Sequence, residues 1–407
     1  MTESEPKMSG GPSRRLFVDV GSHHRRKLTE HACGDVFVSR RLSEEGRLIA
    51  VLSDGLGSGV KANILAEMTA TMALRFTAVE QDILRSAEVI MDSLPICQVR
   101  QISYATFTII DCHAEGKGRI VEEGNPEFIH LRNATGFAEE VPEPEKQVLP
   151  STKWPDRKLL VSSLQFVSGD RLILCSDGVT QAGLGSDACP RGWRRSGLLE
   201  FVRQRVQDSP ELPSRQFAKE IVEEAIRHEP GNVAKDDTSA VVFHFRNPRR
   251  LLLWSGPPYE KGKDREYALK FAQFPGRKVL SGGTTANIAS RELGRDLVMR
   301  LGNVHASVPS SSEMEGVDLV TEGVLTLAKT IEYLEENEMP SIQDSASALA
   351  EILLDSDEIE FMIGSRINEA HFDPTLPIHP GIRRNLIDRL VKLLRQKYLR
   401  DVTVLYI

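Results

Sequence analysis

Two rhythms of apolar and polar positions divide the chain. From about Leu16 to about Phe245 short strand-like runs dominate. LFVDVG, GDVFVSRRL and RLIAVLSD open this region, and the last runs into a glycine-rich turn, GLGSG. From Val60 to about Val79 the apolar spacing becomes helical, with Ile64, Leu65, Met68 and Met72 on one face. A second helix is predicted over Gln81–Leu94. YATFTII alternates as a strand buried on one face does. GRIVEEGN and PEFIHLRN read as two further strands with a turn at GNP, and EEVPEPEKQVLPSTKWP, rich in Pro and Glu, as loop or irregular edge. RLILCSDG is a strand ending in a turn. Helices are predicted around Gly197–Val206 and Ser214–His228, and SAVVFHF closes the region as a strand. Strands in succession with helices in blocks predict an α+β fold with antiparallel sheets.

The basic segment RNPRR, Arg246–Arg250, marks a boundary. Beyond it strands alternate with helices: RLLLWSG, DREYALKFAQF, RKVLSGG, TTANIASRELG, VDLVTEG, GVLTLAKTIEYLEE, IQDSASALAEILLD, EIEFMIG, GIRRNLIDRLVKLLRQ and VTVLYI. That alternation predicts a smaller α/β domain with a mainly parallel sheet. The expected organisation is a disordered tail over 1–15, a first domain over 16–246 and a second over 251–407.

Composition narrows the classes. The 407 residues are 40% hydrophobic and 27% charged, as in ordinary globular proteins, which excludes collagenous, disordered and disulfide-rich classes. A net charge of −7 argues against nucleic acid as a partner of the whole chain. The cysteines, at 33, 97, 112, 175 and 189, form no C-x-x-C, so a reducing cytoplasmic setting is expected. No apolar run approaches the ~18 residues of a membrane span.

Four aspartates beside small residues carry the candidate chemistry: Asp35 in CGD, Asp54 in SDGLGSG, Asp177 in SDGV and Asp236 in KDDTS, with Asp237 adjacent. A single S-D-G is ordinarily a turn. Several carboxylates with a main-chain carbonyl, however, make a hard oxygen site suited to Mg²⁺ or Mn²⁺ and unlike the His/Cys sites of zinc.

The order GD, SDGLGSG, LILC-SDGV and DDTSAVV resembles the bacterial type 2C metal-dependent protein phosphatases, in particular the stage II sporulation protein E-like group. The resemblance covers roughly residues 16–245. It implies a β-sandwich of two antiparallel sheets flanked by helices. It implies two Mn²⁺ or Mg²⁺ ions, bridged by Asp54, with Gly55 giving its carbonyl, Asp177 and Asp236 completing the set, and Asp35 acting directly or through water. Asp237 competes with Asp236 for one position; Asp236 is preferred because Thr238 and Ser239 then fall where the family's strand begins. The implied activity is hydrolysis of phosphoserine or phosphothreonine in partner-switching signalling, on a protein such as an anti-anti-sigma-like regulator. The family's eukaryotic members have D-G-H where this chain has Leu56, so no histidine acid carries over there. His23, His24 and His31 read as solvated loop residues. Cys33 and Cys175 read as inert core. Arg100 suits phosphate capture and Lys61 could orient a phosphate; a surface ion pair and a solvent-facing role are their ordinary alternatives. A second functional reading is a catalytically weak phosphoprotein adaptor, against which the full acidic set weighs.

In the second domain KVLSGGTTANIASRELG places a Gly282–Gly283–Thr284–Thr285 turn between strand and helix. Free N–H groups at such a turn suit an anionic ligand; the alternative is a tight turn with Thr284 or Thr285 capping the helix. GSRIN, after a later strand, is expected to face the same crevice. A ligand sensor or regulatory role follows for this domain.

Overall fold

The computed structural model describes residues 15–79, 83–93, 105–133, 138–142, 146–150, 158–299, 311–366 and 381–407. The expected tail falls almost wholly outside the described residues, and so do Arg100 and Cys97. The chain divides into two compact units, Met1–Asn247 and Pro248–Ile407.

The first unit holds β1 (Phe17–Arg25), β2 (Asp35–Leu42), β3 (Arg47–Gly55), α1 (Gly59–Val79), α2 (Ile83–Ser93), β4 (Ala105–His113), β5 (Lys117–Glu123) and β6 (Ile129–Asn133). It continues with β7 (Ala138–Glu140), β8 (Gln147–Pro150), β9 (Lys158–Gln165), β10 (Arg171–Cys175), α3 (Asp177–Thr180), α4 (Arg194–Asp208), α5 (Ser214–His228) and β11 (Thr238–Arg246). One sheet has the order β2-β3-β4-β5-β9-β8, the other β1-β11-β10-β6-β7. Every pairing in them is antiparallel. Helices α1 and α2 pack on the first sheet through Ala66, Ala70, Ala73, Ile83 and Ala87, against Val51, Phe107 and Ile109. Helices α4 and α5 pack on the second through Leu198, Val202, Phe217 and Ile221, against Ile173 and Val242. The expected antiparallel sandwich flanked by helices is what forms.

Two local expectations change. Helix α1 does not bury the Ile64–Met68 face, which stays exposed; it buries Ala62, Ala66, Thr69, Ala70, Ala73 and Thr77. Close approach decides this. A Cβ on Gly55 would lie 2.1 Å from the Ala62 carbonyl oxygen, so only small residues fit between helix and sheet. The Pro/Glu-rich stretch supplies the outermost strands, β7 and β8, of the two sheets; strand β9, which follows it, has no clear alternation in sequence.

In the second unit β12 (Arg250–Ser255), α6 (Asp264–Ala272), β13 (Arg277–Ser281), α7 (Gly283–Leu293), β14 (Val298–Met299), β15 (Ser312–Glu313) and β16 (Leu319–Thr321) come first. Then follow α8 (Val324–Glu336), α9 (Ser345–Leu354), β17 (Glu358–Ile363), α10 (Ile382–Gln396) and β18 (Asp401–Tyr406). The sheet order is β14-β15-β16-β13-β12-β17-β18, parallel from β16 to β18. Alternate residues of β12 serve two cores. Leu251 and Leu253 meet α8, α9 and α10, while Leu252 and Trp254 meet α6 and α7. Helices on both faces explain why the strands read as continuous apolar runs. Among the described residues no helix is long and apolar enough to cross a membrane.

Asp170 is fully buried in the first unit. Arg132 donates to both its oxygens (2.8 and 2.7 Å), His130 Nε2 lies 3.0 Å away, and the Val167 N–H donates at 3.0 Å. Burial alone would raise its pKa, but Arg132, His130 and Val167 together outweigh burial and hold it below the ordinary value. Its stabilisation is therefore present above the unfolded-state pKa of about 3.9 and is lost as pH falls through the lower folded value. Asp170→Asn should destabilise the first unit by about 3 kcal/mol at neutral pH. In urea titrations the gap to the unsubstituted protein should narrow below about pH 4.

Candidate active site

The site is assembled where the ends of several elements meet. Strands β2 and β3 pair with Asp35 directly opposite Asp54. Asp54 is the penultimate residue of β3, so a buried strand fixes it. Gly55 follows, its N–H donating to the Gly34 carbonyl at 3.1 Å. The loop to α1 then turns through Gly57 (φ 98°) and Gly59 (φ 75°). Glu30 braces that loop by accepting from Ser58 Oγ at 3.0 Å. Asn63 ties α1 to the Cys33 carbonyl at 2.8 Å.

On the other sheet Asp177 opens α3 directly after β10, and Asp236 and Asp237 directly precede β11. Those two segments are stitched together. Ser176 N–H donates to the Ser239 carbonyl and Ser239 N–H to Ser176 Oγ, both at 3.0 Å. Gly178 is required here, since a Cβ would lie 2.1 Å from the Asp237 carbonyl oxygen. Asp54 thus lies at a strand end and Asp177 just beyond one, while Asp35 begins β2 and Asp236 stands just ahead of β11.

The carboxylates act on one another. Burial, then the charges of Asp35, Asp177, Asp236 and Asp237, push Asp54 up to about 9. Burial pushes Asp35 up to about 6; Ser239 and Ser176 pull it down, and Asp237 and Asp177 push it up further. Burial and Asp236 raise Asp177, which receives a hydrogen bond from Gln181 Nε2 at 2.9 Å. Asp35 is 5% exposed, and both its carboxylate oxygens are buried without a hydrogen-bond partner. Among the described residues, no three His, Cys, Asp or Glu side chains already form a finished metal cage. The donors are nonetheless hard oxygens, mutually repelling, with two of them orphaned. That chemistry fits a divalent cation of the Mg²⁺ or Mn²⁺ kind.

The adjacent aspartates differ. Asp237 Oδ1 accepts the Lys27 N–H at 3.0 Å and Oδ2 the Gly34 N–H at 2.8 Å, so both its oxygens are committed to backbone. Asp236 is exposed, and one of its oxygens takes the Asp237 N–H at 2.9 Å. Lys61 is exposed on the first turn of α1. His23 and His24 lie on strand β1, opposite Ala240 and Ser239, not in a loop. Burial, chiefly, lowers the His23 pKa. Cys33 and Cys175 are buried, and burial followed by nearby aspartates raises both thiols, Cys175 to about 12, so neither is a nucleophile. Glu30, Ser176, Gln181 and Ser239 escape sequence reading as site residues, although Ser176 stands in the SDG motif itself.

In the second unit Gly282 precedes α7 with φ 116°, and no threonine side chain caps the helix. Thr285 Oγ1 instead accepts the Gly256 N–H at 2.8 Å.

The profile of a family described as stage II sporulation protein E matches residues 44–246. With the sandwich and its carboxylates, this defines the first unit as a domain of the type 2C protein phosphatase class. Over residues 44–246 the chain belongs to the stage II sporulation protein E family. No curated protein matches it. Among solved structures, it is similar to the PP2C phosphatase domain with a regulatory fragment of SpoIIE from Bacillus subtilis, at 19% identity and TM-score 0.46. That match covers 57% of this chain and 64%, less than two thirds, of the other. The RsbU and RsbW domains of a Mycobacterium tuberculosis protein are 17% identical, with 70% of this chain and 72% of that one covered and a TM-score of 0.45. RsbX in complex with magnesium is 18% identical, with 56% and 95% covered and a TM-score of 0.37.

The two roles of the paired aspartates separate in thermal and urea melts with chelator present. Asp237→Ala should cost about 2–4 kcal/mol, because a buried and a part-buried N–H donor lose a charged acceptor. Asp236→Asn should stay within about 0.5 kcal/mol. Asp54→Asn should leave stability unchanged or raise it, since it removes one of several mutually repelling charges.

Proposed function

We propose that the first unit hydrolyses phosphoserine and phosphothreonine on a signalling protein, with two Mn²⁺ or Mg²⁺ ions held at the carboxylate set. The observation that carries this reading is Asp54, half-buried at the end of a rigid strand and acted on by the charges of four further aspartates, with both oxygens of Asp35 buried and outside hydrogen-bond geometry. Asp54, the Gly55 carbonyl, Asp177 and Asp236 would hold the ions, with Asp35 close behind. Asp237 supports the site as a backbone brace. Bound divalent ions supply Lewis acidity and a water ionised near neutral pH.

The chain's own contribution is position. Strand β3 keeps Asp54 fixed, while on the other sheet the segments bearing Asp177 and Asp236 stay tied by Ser176 and Ser239. With a metal-held water as the attacking group no protein nucleophile is needed, so no covalent phosphoenzyme is expected. Arg100 and Lys61 are our candidates for capturing the phosphate, by bidentate and point-charge contacts respectively. The family membership supports a phosphorylated regulator of partner-switching signalling, of the anti-anti-sigma type, as substrate. We place this activity in the cytoplasm and assign the second unit a regulatory role.

Hydrolysis of p-nitrophenyl phosphate and of a phosphothreonine peptide tests the reading. Activity should require Mn²⁺ or Mg²⁺ and vanish in excess EDTA. Asp54→Asn should lower turnover at saturating Mn²⁺ by at least ~100-fold while the circular dichroism spectrum is unchanged. Undiminished hydrolysis in chelator would overturn the metal assignment, and near-normal turnover of Asp54→Asn the site assignment.

A further inference from the structure

The second unit's sheet is wound outward from its centre in two directions. The chain passes from β12 to β13 and β16 on one side, then returns to β17 and β18 on the other. The reversal falls between β12 and β17, and open α/β sheets bind ligands outside the carboxyl ends of the strands near such a point. Here that edge is built from glycine. A Cβ on Gly364 would lie 2.1 Å from the Pro257 carbonyl oxygen and 2.4 Å from the Gly256 backbone.

Within this unit lies a cleft of about 540 Å³, lined by Lys261, Asp264, Thr284, Asn287, Arg291 and Arg366. Sites for small molecules span about 300–1,000 Å³, so a mononucleotide-sized ligand fits. Two lining residues carry buried polar atoms with no hydrogen-bond partner, Asp264 Oδ1 and Arg366 Nη1. Asp264 is 7% exposed, and its other oxygen accepts from Arg291 Nη2 at 2.8 Å. Arg383, whose Nε is also buried and unpartnered, stands beside Gly256. Burial lowers its pKa.

Buried donors and acceptors left unpaired are costly, and native structures leave few of them. The orphaned guanidinium calls for an oxyanion, the group that its planar fork matches best. The orphaned carboxylate oxygen repels a bare anion and calls for a donor such as a hydroxyl. One molecule meets both demands if it carries phosphate and hydroxyl groups together. We propose that this cleft binds a hydroxylated phosphate ester, a sugar phosphate or a mononucleotide, with its phosphate on Arg366 and a hydroxyl on Asp264.

Isothermal titration of the full chain in EDTA tests this, because chelation removes metal-dependent phosphate binding at the first unit and no readout depends on hydrolysis. Ribose 5-phosphate, adenosine monophosphate and inorganic phosphate are the probes; the first two distinguish a sugar phosphate from a nucleotide. At least one ester should bind saturably. Arg366→Met should weaken that ester and inorganic phosphate by about tenfold or more. Asp264→Asn should weaken the ester by a similar factor, about tenfold, and leave inorganic phosphate unchanged, a split that a merely structural role would not produce. Gly283→Val provides a second route should either variant fold poorly: a Cβ there meets nothing within 4 Å in the chain, so the substitution should spare the fold and obstruct the ester beside Thr284. Absence of saturable binding by both esters, or ester binding that the folded variants leave unchanged, would overturn the proposal.

Discussion

Negative charge gathered where water is scarce is the condition the first unit must satisfy. Asp54 is held up near 9 by burial and by the charges of four other aspartates, and neither Asp35 oxygen has a donor in good hydrogen-bond geometry. Left to itself, such a set would loosen the loops that bear it. The framework prevents this by fixing each carboxylate through backbone. Asp35 and Asp54 are register partners, Asp177 sits in the first turn of α3, and Asp236 is held by its own neighbour's N–H. Asp237 goes further and clamps Lys27 and Gly34 to the start of β11. Stability and site geometry therefore rest on different members of one acidic group.

The same condition explains the unusual packing of α1. The helix lies so close to β3 that its contact face is alanine and threonine, with Gly55 beneath Ala62. A larger residue there would push the helix away from the strand end that presents Asp54 and Gly55. Bulky apolar side chains are consequently left on the outer face, at Val60, Ile64 and Met68.

Much of this was legible in the residues. The change of rhythm at RNPRR reflects a real change from antiparallel to parallel sheets, because strands buried on both faces by crossover helices read differently from those of a sandwich. The four aspartate motifs were visible because Asp and Gly beside apolar runs are distinctive. Periodicity misled at α1, where it marks which positions are apolar and not which side the sheet can approach. It was silent on β9, and it could not see that Ser176 and Ser239, far apart in sequence, join two loops. The choice between Asp236 and Asp237 had no sequence solution, since their difference lies in which backbone N–H groups reach them. In the second unit the GGTT turn was visible, but Asp264, Arg366 and Arg383 come from three separate segments that only the winding of the sheet brings to one edge.

The pairing of β1 with β11 sets Phe17 opposite Arg246, so the first strand of the sandwich has its partner in the last. During synthesis β1 must wait, unpaired, until the rest of the unit has emerged. The clamp from Asp237 to Lys27 and Gly34 spans the same interval and closes in the same late event. Closure of so long a stretch is slow, as contacts distant in sequence generally are. The acidic group is thus assembled only when the chain that must contain it is complete, and a nascent chain stopped short of Asp236 has neither the clamp nor the two aspartates beside β11.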